Sequence, residues 1–170
     1  MVTIRDEVPQ DIASIYDVNK EAFGQEKEAD LVNNLREGKV LVISLVAVKD
    51  GEIIGHIAFS PVDITPGNSD IKALTLAPLA VKPAYQNMGV GSRLVSTGLE
   101  QCRKKGWEIV VLAGHPDYYP RFGFVRAREN GLECEVEVPD EAWMVAELNK
   151  GSLAKIKGTV VFQPEFKAAL

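Results

Sequence analysis

Apolar positions along this chain recur at two spacings, and each spacing predicts a kind of element. Val2–Arg5 reads as a short strand. Ile12, Ile15, Tyr16, Ala22 and Phe23 then share one face at helical spacing, behind a Pro9 suited to a first helical position. A second short helix carries Leu31 and Leu35, with Gly38 able to close it. Leu41–Val48 is almost wholly apolar, as a strand covered on both faces would be. Asp50-Gly51 suits a tight hairpin turn, and Glu52–Ser60 returns as the partner strand. Pro61–Asp70 is polar, contains Pro66 and Gly67, and predicts a loop. Ile71–Val81 is the next strand. It is interrupted by Pro78, which cannot donate a ladder hydrogen bond and so marks a bulge or an opening in the sheet.

The loop Lys82–Gly91 leads into a helix with Leu94, Val95, Leu99 and Cys102 on its apolar face. Lys104, Lys105 and Gly106 end that helix, with positive charge at the negative end of its dipole. Glu108–Ala113 is a further buried strand, so Ile71–Ala113 forms a βαβ unit whose two strands should be parallel. An aromatic turn, Pro116–Phe122, follows. The tail offers strands at Glu133–Val138 and Thr159–Phe162 and a helical stretch near Glu141–Leu148.

One α/β domain spanning 1–170 accounts for these elements, with no linker, repeat or low-complexity block. The 19 basic and 24 acidic residues leave a net charge of -5, which argues against salt-sensitive nucleic-acid binding and mildly favours a cationic acceptor. Cys102 and Cys134 match no metal spacing and read as reduced thiols. The first residues lack an apolar signal core, and no apolar run approaches the roughly 18 residues of a membrane span. The expectation is a cytoplasmic protein with no membrane partner.

Leu79-Ala80-Val81-Lys82-Pro83-Ala84-Tyr85-Gln86-Asn87-Met88-Gly89-Val90-Gly91-Ser92 carries the chemistry. It runs from a strand end through glycines into a helix N-terminus, where unpaired backbone N–H groups and the helix dipole suit a pyrophosphate. A P-loop would need Lys-Ser/Thr after Gly91, where Ser92-Arg93 stands, and a dinucleotide fingerprint would need Gly or Ala at Leu94. Both fail. The plain alternative is a glycine-rich turn that merely connects strand to helix.

Gln-x-x-Gly-x-Gly preceded by Leu-Ala-Val-x-Pro resembles the acetyl-CoA motif of the GNAT N-acetyltransferases. Tyr119-Pro120-Arg121-Phe122-Gly123-Phe124 resembles the second signature, a tyrosine four residues before Gly-Phe. Gly114-His115-Pro116-Asp117-Tyr118-Tyr119 is similar to a branch of prokaryotic members. One departure is Leu112-Ala113, where many members carry an asparagine. The resemblance covers essentially the whole chain. It implies a central mixed, mostly antiparallel sheet with two splayed parallel strands and flanking helices. It also implies acetyl-CoA as cosubstrate without a metal, a small-molecule amine or a peptide as acceptor, and leaves a homodimer open.

By the same resemblance Leu79, Ala80 and Val81 receive the pantetheine arm, with the Val81 N–H polarising the thioester carbonyl. Gln86, Asn87, Met88, Gly89, Val90, Gly91 and Ser92 hold the pyrophosphate, and Tyr119 protonates the departing thiolate. A helix-start serine satisfied locally is as good a reading of Ser92. For the base, His56, Glu21, Glu26 and Asp63 are candidates by approximate location, beside a water chain, and none is assigned. Trp107 and Trp143 read as core or rim residues, Phe122 and Phe124 as packing anchors, and Tyr118 as packing or rim in preference to lining the site. The competing reading is a non-catalytic acyl-CoA-binding sensor with the same fold.

Overall fold

The computed structural model describes residues 1–67 and 70–169. Its sheet begins with β1 (Val2–Asp6), which pairs antiparallel with β2 (Ile43–Lys49). Between them lie α1 (Ile12–Phe23) and α2 (Lys27–Glu37). The expected hairpin turn is present, with Asp50 and Gly51 at φ 50° and 78°. It leads into β3 (Glu52–Thr65), antiparallel to β2. Then come β4 (Ala73–Val81), α3 (Val90–Lys104) and β5 (Ile109–Ala113), with β4 and β5 parallel as expected of the βαβ unit. The remaining strands are β6 (Val125–Arg126), β7 (Leu132–Cys134), β8 (Trp143–Glu147) and β9 (Gly158–Phe162). Among the described residues the sheet order is β1-β2-β3-β4-β5-β8-β6, and β9 joins β3 and β7.

Three expectations need correction. Residues 61–65 are strand, not loop, because Val62 and Ile64 are buried and this end of β3 pairs with both β4 and β9. Asn68 and Ser69, in the same expected loop, lie outside the described residues. The expected helix at 141–148 is β8, held between β5 and β6 with Trp143, Met144, Val145 and Ala146 all buried. A strand covered on both faces has a continuous apolar run, which a short buried helix would share. The expected strand at 133–138 shrinks to β7, where pairing with β9 ends at Cys134. Gly38 closes α2 as its C-cap, as expected. It stays helical, and Lys39 takes φ 58°. A Cβ on Gly38 would meet the Glu165 carboxylate, the end of a flexible side chain that can move aside.

The two faces of the sheet carry different layers. α3 covers one, packing Val90, Leu94, Val95 and Cys102 against Leu45, Ile57, Phe59, Leu74 and Leu76. Gly98 lets the helix approach: a Cβ there would lie 2.5 Å from the Phe59 ring. α1 and α2 cover the other face, with Ile15, Val18 and Val32 on Val46, Ile53 and Ala80. Leu31 and Leu35 of α2 pack with Phe166 from the closing 3-10 turn Pro164–Ala169.

A buried polar chain fixes that helix pair to the sheet. The Asn19 amide donates to the Ile15 carbonyl at 3.0 Å and to His56 Nδ1 at 3.2 Å. An amide nitrogen can only donate, so the His56 proton sits on Nε2 and reaches Ser44 Oγ at 2.8 Å. Ser44 in turn donates to Glu7, whose carboxylate Arg36 grips at 2.9 Å through both Nε and Nη2. Here α1, α2, β2, β3 and the segment after β1 meet through side chains alone.

Burial pushes the fully enclosed His56 down to about 3, outweighing the raising effect of Glu7, so it is neutral when folded. Unfolded, it takes up a proton below about 6.5. Because the unfolded state then binds the extra proton, stability falls as pH drops from about 6.5 towards 3, by up to about 1.4 kcal/mol per pH unit. Above pH 6.5 His56 adds no slope. Urea unfolding of wild type and His56→Gln between pH 7 and pH 5 checks this: the wild-type slope should exceed that of the variant. Parallel slopes would contradict a buried neutral histidine.

Candidate active site

The site begins where β4 and β5 part. Their pairing covers only Ala73–Thr75 against Ile109–Val111. Opposite Ala77-Pro78 the β3–β4 register slips, from Ile57 facing Leu79 to Phe59 facing Leu76. Proline has no ladder donor to offer, so the bulge falls there. β5 meanwhile stays paired with β8 to its last residue. Past residue 76, β4 therefore keeps β3 on one edge and, among the described residues, has no strand on the other.

Backbone alternation decides which groups face that gap. The Lys82 N–H donates to the Ile54 carbonyl at 2.9 Å. In an antiparallel ladder this puts Ala80 in register with His56 as a bonded pair, and turns the N–H groups of Leu79 and Val81 to the free edge. The Val81 carbonyl is taken by the Gln86 side-chain amide at 3.0 Å. Its N–H is left as the open donor.

The turn after β4 aims further amides at the same place. Asn87 and Gly89 take φ 63° and 85°, and Gly89 caps α3 with no side-chain hydrogen bond. The first N–H groups of a 15-residue helix are thus left without an intrahelical partner. One cavity of about 1060 Å³ is lined by Leu79, Val81, Gln86, Asn87, Gly89, Gly91 and Ser92. The other three motif residues point their side chains elsewhere. Ala80 packs under α1, Val90 is buried under the sheet, and Met88 is 68% exposed.

Tyr119 lines the cavity from the other side of the gap. Its ring rests on Phe124 and Tyr118, with centroids 5.7 and 5.0 Å away, and against Gly114, where a Cβ would come within 2.5 Å. Among the described residues its hydroxyl has no hydrogen-bond partner. Burial, reinforced by Tyr118, pushes it up to about 12, so it holds its proton at neutral pH.

Tyr118 lines the cavity at its rim. Its hydroxyl is 3.1 Å from Ser92 Oγ at the helix start, and Arg121 stacks on its ring at 4.6 Å while donating to its carbonyl at 2.8 Å. Arg121 also lines the cavity and supplies it with a fixed positive charge. No sequence motif flagged Arg121. Its signal was only a position inside the aromatic turn.

The base candidates are not brought here. His56 is sealed from solvent, and Glu21, Glu26 and Asp63 do not line the cavity. Glu26 pairs with Lys20 at 3.2 Å. The carboxylate that does line it is Glu28 of α2. Neither cysteine contributes, and burial pushes Cys102 up to about 12, where a thiol is unreactive. Among the described residues no three His, Cys, Asp or Glu side chains converge as metal ligands, and no helix is long and apolar enough to cross a membrane.

A gapped sheet, free strand amides and an uncapped helix start, all opening on one cavity, are the frame of an acyl-CoA-dependent transferase. The chain belongs to the GNAT acetyltransferases: the family described as Acetyltransferase (GNAT) domain matches residues 3–127. The Escherichia coli K12 protein named uncharacterized N-acetyltransferase YhbS is 37% identical over 164 residues, covering 96% of this chain and 97% of the relative. The solved structure of E. coli YhbS, in complex with CoA, superposes with a TM-score of 0.92 at 36% identity, covering 97% of this chain and 91% of that one. A Brucella melitensis GNAT acetyltransferase in complex with acetyl-CoA gives 0.83 at 35% identity, over 98% and 99%.

Proposed function

We propose that this protein moves the acetyl group of acetyl-CoA directly onto a primary amine. The observation that carries this reading is the pair of free strand amides, Leu79 and Val81, in one cavity with an uncapped helix start and an unpartnered phenol. The CoA-bound and acetyl-CoA-bound relatives support it. In this reading the pantetheine arm lies along the open edge of β4 as a substitute strand. The pyrophosphate sits against Gln86–Ser92, where amides and the α3 dipole neutralise it.

The chemistry is a single displacement. The amine nitrogen attacks the thioester carbonyl carbon, and the Val81 N–H stabilises the oxygen as it gains charge. The C–N bond forms, the C–S bond breaks, and the amine proton passes to water. Tyr119 donates its phenolic hydrogen bond to the departing sulfur. Held near 12, it is a weaker acid than a thiol of about 8.5, so it stabilises developing thiolate charge more than it forces full transfer. No cysteine lines the cavity to carry an acyl intermediate.

Gly89 and Gly106 give a matched test of the cradle. Both have positive φ, 85° and 88°, and a Cβ at either meets nothing within 4 Å. Asp at either should strain the backbone alike, but only Gly89→Asp puts a negative charge on the pyrophosphate seat. Calorimetry with CoA should show at least tenfold weaker binding for Gly89→Asp alone. Equal affinity in the two variants would misplace the cradle.

Tyr119→Phe keeps the ring and removes the donor. We expect kcat to fall about a hundredfold, the lower end for a general acid, with CoA affinity and melting temperature unchanged. The alkaline limb set by this phenol lies near pH 12, so wild type and variant should share one profile shape from pH 6 to 10. An unchanged kcat where chemistry limits the rate would remove Tyr119 from the mechanism.

A further inference from the structure

The cavity does not stop at the cofactor side of the sheet. It passes through the gap beside Thr75–Pro78 and continues on the face covered by α1 and α2. There its walls are Phe23, Leu31, Phe162, Phe166 and Ala169, with Glu28 the one carboxylate among the described residues. We infer that this half receives a small monoamine whose body is aromatic or branched aliphatic, its ammonium drawn to Glu28. The inference rests on the acetyl-transfer reading and names the acceptor class for it.

Three observations carry it. First, the wall is apolar and braced. Phe162 and Phe166 lie 5.5 Å apart, and Phe162 also packs edge-on against the buried Trp143 at 6.3 Å. Phe23, the last residue of α1, remains 39% exposed although it is a large apolar side chain lining the cavity. An apolar ligand body would cover it.

Second, Glu28 is pre-oriented and uncommitted to a cation. The Gln25 amide holds both its oxygens, at 2.9 and 3.1 Å, and among the described residues no Lys, Arg or His pairs with it. A carboxylate on an apolar wall, with no cation of its own, favours a positively charged ligand. Third, the wall is poor in the partners that other acceptors need. A peptide brings an unpaired donor and acceptor with each residue, and a polyamine brings several charges, each costly against phenyl rings. The Thr75 hydroxyl at the passage already donates to the Val111 carbonyl at 3.1 Å.

The ammonium that docks on Glu28 must lose a proton before its nitrogen attacks, and water in the open cavity takes it. Glu28 binds the acceptor and sets specificity.

The test is a panel scored by thiol release from acetyl-CoA: phenethylamine and isoamylamine against spermidine and a tripeptide. Wild type should turn over the first pair with at least tenfold higher kcat/KM. Glu28→Gln should raise KM for phenethylamine about twofold to fivefold, the worth of one partly exposed charge pair, with KM for acetyl-CoA and melting temperature unchanged. Phe23→Ala should raise KM for phenethylamine but not for ethylamine. Preference for spermidine or the tripeptide, or an unmoved KM in Glu28→Gln, would overturn the acceptor class and leave acetyl transfer standing. Thiol release with none of the amines, from protein that binds acetyl-CoA by calorimetry, would overturn both readings together.

Discussion

The unpaired edge of β4 is the constraint on which the rest of this structure depends. A sheet normally satisfies both edges of an interior strand, because a buried N–H without a partner costs about 1–3 kcal/mol. Here β4 and β5 start as bonded neighbours at Ala73–Thr75, and the pairing then stops. The bulge at Ala77-Pro78 ends it on one side, and on the other β5 remains tied to β8. Leu79 and Val81 are left with donors that only water or a ligand can use. A pantetheine arm carries the amides and carbonyls to fill such a place, which is why the proposed function starts from the gap.

Everything around the gap keeps it open and gives it direction. α3 approaches closely through Gly98 on Phe59, which fixes its N-terminus at the mouth. Tyr118 joins Ser92 across that mouth, and Arg121 stacks behind it. On the opposite face the chain of Asn19, His56, Ser44, Glu7 and Arg36 anchors α1 and α2, so the wall bearing Glu28 and Leu31 has a fixed relation to the strands. Apolar packing alone would hold these helices with less angular definition, since it is non-directional.

The sequence announced the half proposed to hold the cofactor and was nearly silent on the other. Pro78, Gly89, Gly91 and the Tyr119-to-Gly123 spacing are local requirements of backbone and turn, and local requirements can be read along a chain. Within the motif the cavity lining omits Ala80, Met88 and Val90, of which Ala80 and Val90 are buried in the core and Met88 is exposed. The far half is assembled from α1, α2, β9 and the closing turn, with Phe23 and Phe166 more than a hundred positions apart. No spacing rule joins them. β8 was unreadable for another reason, because Trp143–Ala146 is apolar throughout and carries no period to separate strand from helix.

Amide hydrogen exchange at four successive residues tests the central claim most directly. In free protein, Leu79 and Val81 should exchange faster than Ala80 and Lys82, whose N–H groups are bonded to β3. Saturating CoA should then protect Leu79 and Val81 selectively, together with the first amides of α3. Alternating exchange rates that even out on binding are the expected result. Uniform protection of all four residues before CoA is added, or CoA-induced protection that bypasses Leu79 and Val81, would contradict the account.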